Sequence, residues 1–151
     1  MSAGLVSVVA LSEAAARRYI PTPGELCVSI TDEEREAALR PGWAEVLRLH
    51  FYDMGDEYVG RGYDADLFGE RHARAIYDLI LRHPEAHTVV VHCHAGLCRS
   101  PAVAWAVKET FGLRVSIGEA GAWGARNARV YRIMLETARR MLASRSMERA
   151  S

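Results

Sequence analysis

The residues with the most chemistry in their order are His92-Cys93-His94-Ala95-Gly96-Leu97-Cys98-Arg99-Ser100, followed by Pro101. A valine run, Val89 to Val91, leads in, and an apolar-striped helical pattern leads out. A strand that turns tightly into a helix N-terminus presents backbone amides to an anion. Cys93 at the start of the turn offers a nucleophile, and a helix N-terminus with a nearby arginine favours the thiolate form of such a cysteine. Arg99 at its end offers a planar cation able to grip two phosphoryl oxygens at once. The amides of His94, Ala95, Gly96, Leu97, Cys98 and Arg99 would surround the remaining oxygens, preorganised for transition-state charge. This layout suits attack on a phosphate ester.

A metal site is the competing use of His92-Cys93-His94. Neighbours on a strand point to opposite faces, and no second Cys/His cluster has zinc spacing, so no metal is expected. His92 reads as a buried imidazole bracing the loop, and His94 as part of its rim.

The elements that must position these residues follow from periodicity. Residues 5–11 form a β-branched run and a first strand, after which Ser12 can cap a short helix reaching Tyr19. Glu25 to Ile30 reads as a second strand carrying Cys27, and Trp43 to Phe51 as a third. Between them, Thr31 and Glu34 fit a capping box that opens a helical turn ending by Pro41-Gly42, its charges forming a solvated face. An acidic, glycine-bearing loop then runs from Asp53 to Asp64. Asp66 is expected to cap a helix whose inward face is Phe68, His72, Ala75, Ile76, Leu79 and Ile80, ending before Pro84. Thr88 to His92 has no polar alternation and so reads as a strand buried on both faces of a parallel sheet. Ser100 is expected to cap the next helix with Pro101 at its first position, Val103, Ala106, Val107 and Phe111 inward, and Gly112 at its end. Ser116 and Glu119 suggest another capping box. Asn127 can cap a last helix with Val130, Ile133, Met134, Ala138, Met141 and Leu142 as its stripe, and the polar residues from Ser144 onward are expected to fray.

Strands separated by helices predict an α/β fold: one domain over 1–143 with a central, mostly parallel sheet flanked by helices, and a flexible polar tail over 144–151. Ligands are expected at the carboxyl ends of strands, where both the Cys93 loop and the Asp53 loop fall. The 151 residues suffice for one real core, and 19 basic against 19 acidic side chains give no global field for nucleic acid or a membrane surface. No apolar run approaches a membrane span, and the first residues lack the basic region of an export signal. Three cysteines without framework spacing point to a reduced, cytoplasmic protein.

His92-Cys93-x5-Arg99-Ser100 resembles the H-C-x5-R-[ST] signature of cysteine-dependent protein tyrosine and dual-specificity phosphatases, in a size similar to the compact bacterial members. The resemblance implies a cofactor-free, metal-independent, two-step reaction on a phosphorylated protein or small phosphomonoester through a phosphocysteine. It makes Cys93 the nucleophile, Arg99 and the loop amides the phosphate binders, Ser100 a hydroxyl that helps the thiolate leave, and His92 the residue that tunes the loop. It also requires an aspartic acid on an upstream loop to protonate the leaving oxygen. Asp53, Asp56, Asp64 and Asp66 are candidates by distance. Phe51-Tyr52-Asp53-Met54 resembles the strand-end aspartate motif of the small bacterial members, which favours Asp53 with Asp56 second; helix capping accounts for Asp66 and turn propensity for Asp64. Asn127 lies where compact members place an asparagine near the site, and helix capping explains it equally well. Cys98-Arg99-Ser100-Pro101 is also similar to the loop of low-molecular-weight tyrosine phosphatases, but that family places its loop near the N-terminus and its acid in a downstream Asp-Pro pair, absent here. No paired lysines lie within residues 94–98, which disfavours inositide substrates. Cys98 or Cys27 could capture an oxidised Cys93 as a disulfide. Two other classes use a comparable loop: a rhodanese-like sulfurtransferase, and a non-catalytic phosphate-binding module.

Overall fold

A computed structural model describes residues 4–117 and 126–150, with side chains omitted at 116–117 and 146–150. Its elements are β1 (Ser7–Ser12), α1 (Glu13–Arg18), β2 (Glu25–Thr31), β3 (Glu45–His50), two 3-10 turns (Asp56–Tyr58 and Asp64–Asp66), α2 (Glu70–Leu81), β4 (Thr88–Cys93), α3 (Arg99–Phe111), β5 (Arg114–Ile117) and α4 (Ala128–Ala150). The strands form one five-stranded sheet in the order β3-β2-β4-β1-β5. Every pairing is parallel. The protein is therefore a single-domain α/β structure, as the alternation of strand and helix patterns predicts.

The unbroken apolar run at Val89–Val91 has the position its composition demands. β4 lies between β1 and β2 and is buried along its whole length, as is β2. α3 packs on β1 and β4, and α4 packs across α3 and α2. Because parallel strands all point the same way, the ends of β1, β2, β3 and β4 reach one edge of the sheet together. Register places Ser12 beside Cys93, Ser29 beside His92, and Thr31 beside His50.

Four local expectations are corrected. Thr31 does not open a helix: it ends β2, and its hydroxyl bonds to the Arg35 carbonyl and His50 Nδ1. Asp66 does not cap α2; it closes a 3-10 turn, and the helix starts after Gly69, whose N–H donates to His72 Nδ1 at 2.9 Å. The side-chain cap signal at Asp66 was outcompeted because the chain spends three further residues burying Leu67 and Phe68 before it can turn into the helix. Ser100 is not the α3 cap either, since the helix already includes Arg99 and the Ser100 hydroxyl lies against the Cys93 sulfur. Ser116 lies in β5, where pairing with β1 overrides its capping propensity, and Glu119 lies outside the described residues.

The helix faces shift slightly from the predicted stripes. α2 buries Ala73 and Tyr77 as well as His72, Ile76, Leu79 and Ile80, because α4 covers a second side of it; Ala75 is only partly buried. On α4, Val130, Ile133, Met134 and Ala138 are buried while Leu142 is exposed. The backbone of α4 stays helical through Ala150, past Ser144, where polarity alone predicts fraying.

His72 packs against the rings of Phe51 and Phe68. Burial lowers its pKa from 6.5 to about 4. The unfolded chain thus takes up this proton before the folded one, so the imidazole withdraws stability as pH falls from 6.5 towards 4. Urea midpoints measured between pH 7 and 4 should fall less steeply in His72→Gln than in the wild type; parallel slopes would contradict this burial effect.

Candidate active site

β4 delivers Cys93 to the sheet edge, and the chain must then reverse into α3 within five residues. Gly96 makes that possible. Its φ is +74°, and a Cβ there would lie 2.7 Å from the Ser12 amide nitrogen and 2.8 Å from the Leu11 carbonyl carbon. The loop therefore sits directly on the end of β1, where the Glu13 N–H also donates to the His94 carbonyl at 3.1 Å.

The sulfur of Cys93 lies at the bottom of the loop, 2 % exposed at the residue level. The Gly96 N–H donates to it at 3.2 Å, and Ser100 Oγ lies 3.3 Å from it. Ser100 Oγ also lies 3.3 Å from the Leu11 carbonyl, which can only accept. One hydroxyl proton thus has two destinations: the carbonyl when Cys93 is a thiol that donates to Ser100, or the sulfur when Cys93 is a thiolate. Among the described residues, no protein acceptor takes the amides of Ala95, Leu97 and Cys98.

His92 is fully buried behind the loop. Its Nδ1 is 3.3 Å from the Cys93 carbonyl and its Nε2 is 2.6 Å from Ser29 Oγ. The carbonyl requires the proton on Nδ1, so Nε2 accepts from the serine hydroxyl. Burial lowers the pKa of this imidazole, which favours its neutral form. Ser29 was not anticipated; only the β2–β4 register reveals it.

A pocket of about 330 Å³ opens above Cys93 and is lined by His94, Ala95, Leu97, Cys98 and Arg99 from the loop, together with Asp53 and Asp32. Arg99 is buried, and its Nη1 donates to Asp32 Oδ1 at 2.6 Å and to the Phe51 carbonyl at 2.8 Å. Asp53 Oδ1 accepts from Asn127 Nδ2 at 2.7 Å. Burial first, then the nearby Asp53 carboxylate, push the Cys98 thiol up to about 11. Asn127 is a three-way tie. Its Oδ1 caps α4 through the Val130 N–H at 3.0 Å, its amide group holds Asp53 and the Met54 carbonyl, and its own N–H donates to the Cys98 carbonyl at 2.9 Å. Capping and proximity to the site are thus both true of this residue.

The other aspartates go elsewhere. Asp56 is paired with Arg129 at 2.6 Å and Arg132 at 2.9 Å, which hold its carboxyl below the usual range, and it does not line the pocket. Asp64 Oδ1 accepts from the Gly60 N–H within its own loop. Asp66 lines a separate cleft beside Tyr52. Cys27 is opposite Val90, so three residues of strand, about 10 Å, separate it from the level of Cys93, too far for a disulfide. The residue that sequence reasoning missed is Asp32. Its signal was its place just past the end of β2, beside the strand that carries Cys93, but the Thr31–Glu34 pattern disguised it as a helix cap.

Among the described residues, no three His, Cys, Asp or Glu side chains converge as metal ligands. Comparison with family models, with curated proteins and with solved structures found no match to this chain. The fold and the site geometry therefore carry the functional argument.

Gly96 and Gly60 both have positive φ, but only Gly96 is pressed against backbone; nothing lies within 4 Å of a Cβ on Gly60. Gly60→Ala should cost about 1 kcal/mol from the left-handed conformation alone. Gly96→Ala should cost about 2–4 kcal/mol, because strain and displacement of β1 add to that. Equal urea midpoints for the two variants would refute the close approach.

Proposed function

We propose that this protein is a cysteine-dependent phosphomonoester hydrolase of the protein tyrosine or dual-specificity type, acting on phosphotyrosine or other phosphorylated protein substrates through a phosphocysteine. The observation that carries the reading is one pocket lined by Cys93, Arg99 and Asp53 at the mouth of a turn whose Gly96 N–H donates to the Cys93 sulfur.

In the first step the Cys93 thiolate attacks phosphorus; the S–P bond forms and the ester P–O bond breaks. Asp53, protonated, gives its proton to the departing oxygen. Arg99 and the loop amides take the phosphoryl oxygens as charge builds on them. In the second step water attacks phosphorus, Asp53 accepts a proton from it, and the S–P bond breaks to release phosphate. The sulfur leaves as a thiolate, and the Gly96 N–H and the Ser100 hydroxyl, whose proton turns from Leu11 to the sulfur, stabilise it. Asn127 keeps Asp53 over the loop throughout. No step calls for a cofactor.

The reading assigns the protein to the reducing cytoplasm, with a phosphorylated protein or small phosphomonoester as its partner and neither nucleic acid nor membrane. Cys27, Cys93 and Cys98 are free thiols. Among the described residues no helix is long and apolar enough to cross a membrane.

The purified protein should hydrolyse p-nitrophenyl phosphate in the presence of chelator, and vanadate should inhibit it. Cys93→Ser should abolish turnover. Asp53→Asn should lower kcat by about 10²–10⁴-fold and remove the basic limb of the pH profile. Asp56→Asn should leave that limb in place. Full activity in Cys93→Ser, or thiosulfate–cyanide sulfur transfer without phosphatase activity, would overturn the assignment.

A further inference from the structure

Two parallel hydrogen bonds from Arg99 to a phosphoryl group cost least when its guanidinium plane is set before the ligand arrives. Both of its protein contacts fall on one nitrogen: Nη1 donates to Asp32 Oδ1 at 2.6 Å and to the Phe51 carbonyl at 2.8 Å. Among the described residues, no protein acceptor engages Nε or Nη2. With Nη1 pinned from two sides, the Nε–Nη2 edge is the one left to face the loop, and it is the edge with the right geometry for two oxygens of one anion.

Asp32 is itself held for this task. It follows directly on β2, and Glu33 after it adopts φ 53°, a left-handed conformation rare for such a residue. That turn is braced on both sides. The Thr31 hydroxyl donates to the Arg35 carbonyl, and the Tyr52 hydroxyl donates to Glu33 Oε1 at 3.0 Å. Arg35 in turn forms a two-pronged ion pair with Glu13 at 2.7 and 2.9 Å. A buried guanidinium also needs a counter-charge. Of the two carboxylates in the pocket wall, Asp53 is engaged by Asn127, and Asp32 is the one on Arg99.

We propose that Asp32 is a positioning residue that sets the plane of Arg99, so that its Nε–Nη2 edge meets the phosphoryl oxygens. This rests on the reading that the pocket takes a phosphoryl group. It predicts a separation between the carbonyl-type oxygen, which does the positioning, and the negative charge, which opposes the anion. Asp32→Asn keeps an oxygen acceptor for Nη1, whereas Asp32→Ala and Asp32→Ser cannot reach it.

The test is calorimetric titration of the full-length protein with inorganic phosphate, together with kinetics on p-nitrophenyl phosphate. Asp32→Ala should weaken phosphate binding and raise KM by about 10–100-fold, with the Asp53-dependent basic limb unmoved. Asp32→Asn should restore most of the affinity. Asp32→Ser should repeat the loss and replaces the alanine variant if that one does not fold. Wild-type phosphate affinity in Asp32→Ala would overturn the proposal, as would tighter binding in both Asp32→Ala and Asp32→Asn, which would mark Asp32 as a competitor of the anion. If the wild-type protein neither binds phosphate nor hydrolyses the ester, the phosphatase reading falls and this inference falls with it; that result is distinct from an active wild type with indifferent Asp32 variants.

Discussion

The contact on which the site depends is the seating of Gly96 on the end of β1. A loop that must leave a fully buried strand, place a cysteine at its base and enter a helix at once has almost no room to deviate. At Gly96 the backbone runs so close to Leu11 and Ser12 that a single methyl group would collide with it. This approach aims the Gly96 N–H at Cys93 Sγ and brings Ser100 between the sulfur and the Leu11 carbonyl. The Glu13–His94 backbone bond closes the same seam from the other side. β1 contributes backbone rather than side-chain contacts here, yet it shapes the loop that holds Cys93.

The parallel sheet supplies the rest. In an all-parallel sheet the strand ends collect at one edge, so β2, β3 and β4 bring Asp32, the Phe51 carbonyl and Cys93 together from segments far apart in the chain. α4 adds a second layer of order. Asn127 at its start is bonded at once to the Asp53 loop and to the Cys98 carbonyl, so the helix cap also sets the distance between Asp53 and the Cys93 loop. The two arginines that follow on α4 draw Asp56 away from the pocket, which leaves Asp53 as the carboxyl of that loop facing Cys93. On the proposed chemistry, the same ion pairs that stabilise the loop also decide which aspartate is available as the acid.

The electrostatics around Cys93 are arranged in pairs rather than as an open field. Arg99 is matched by Asp32, and Glu13 is matched by Arg35. His92 is kept neutral by burial, so it adds orientation to the loop and not charge. The chain as a whole carries equal numbers of acidic and basic residues, in keeping with a site that works by local geometry. A phosphoryl group entering such a pocket meets directed donors, and specificity would follow from their placement more than from long-range attraction.

Much of this was legible in the linear chain. The spacing of Cys93, Gly96, Arg99 and Ser100 is local, and a turn between strand and helix follows from residues within one short segment. The unbroken valine run of β4 identified a central parallel strand because only burial on both faces suits it. Asn127 as a helix cap was also a local signal, and the structure bears it out. What the chain did not show are relations between segments far apart in sequence: Ser29 against His92, Asp32 against Arg99, Asp56 against Arg129. Side-chain propensity even pointed away from one of them, since Thr31 to Glu34 has the pattern of a helix cap. That signal lost for a physical reason. A cap contributes about 1 kcal/mol through one local hydrogen bond, whereas strand pairing and a buried cation that requires a counter-charge involve several bonds at once. Those partners exist only after the parallel strands have brought their ends to one edge.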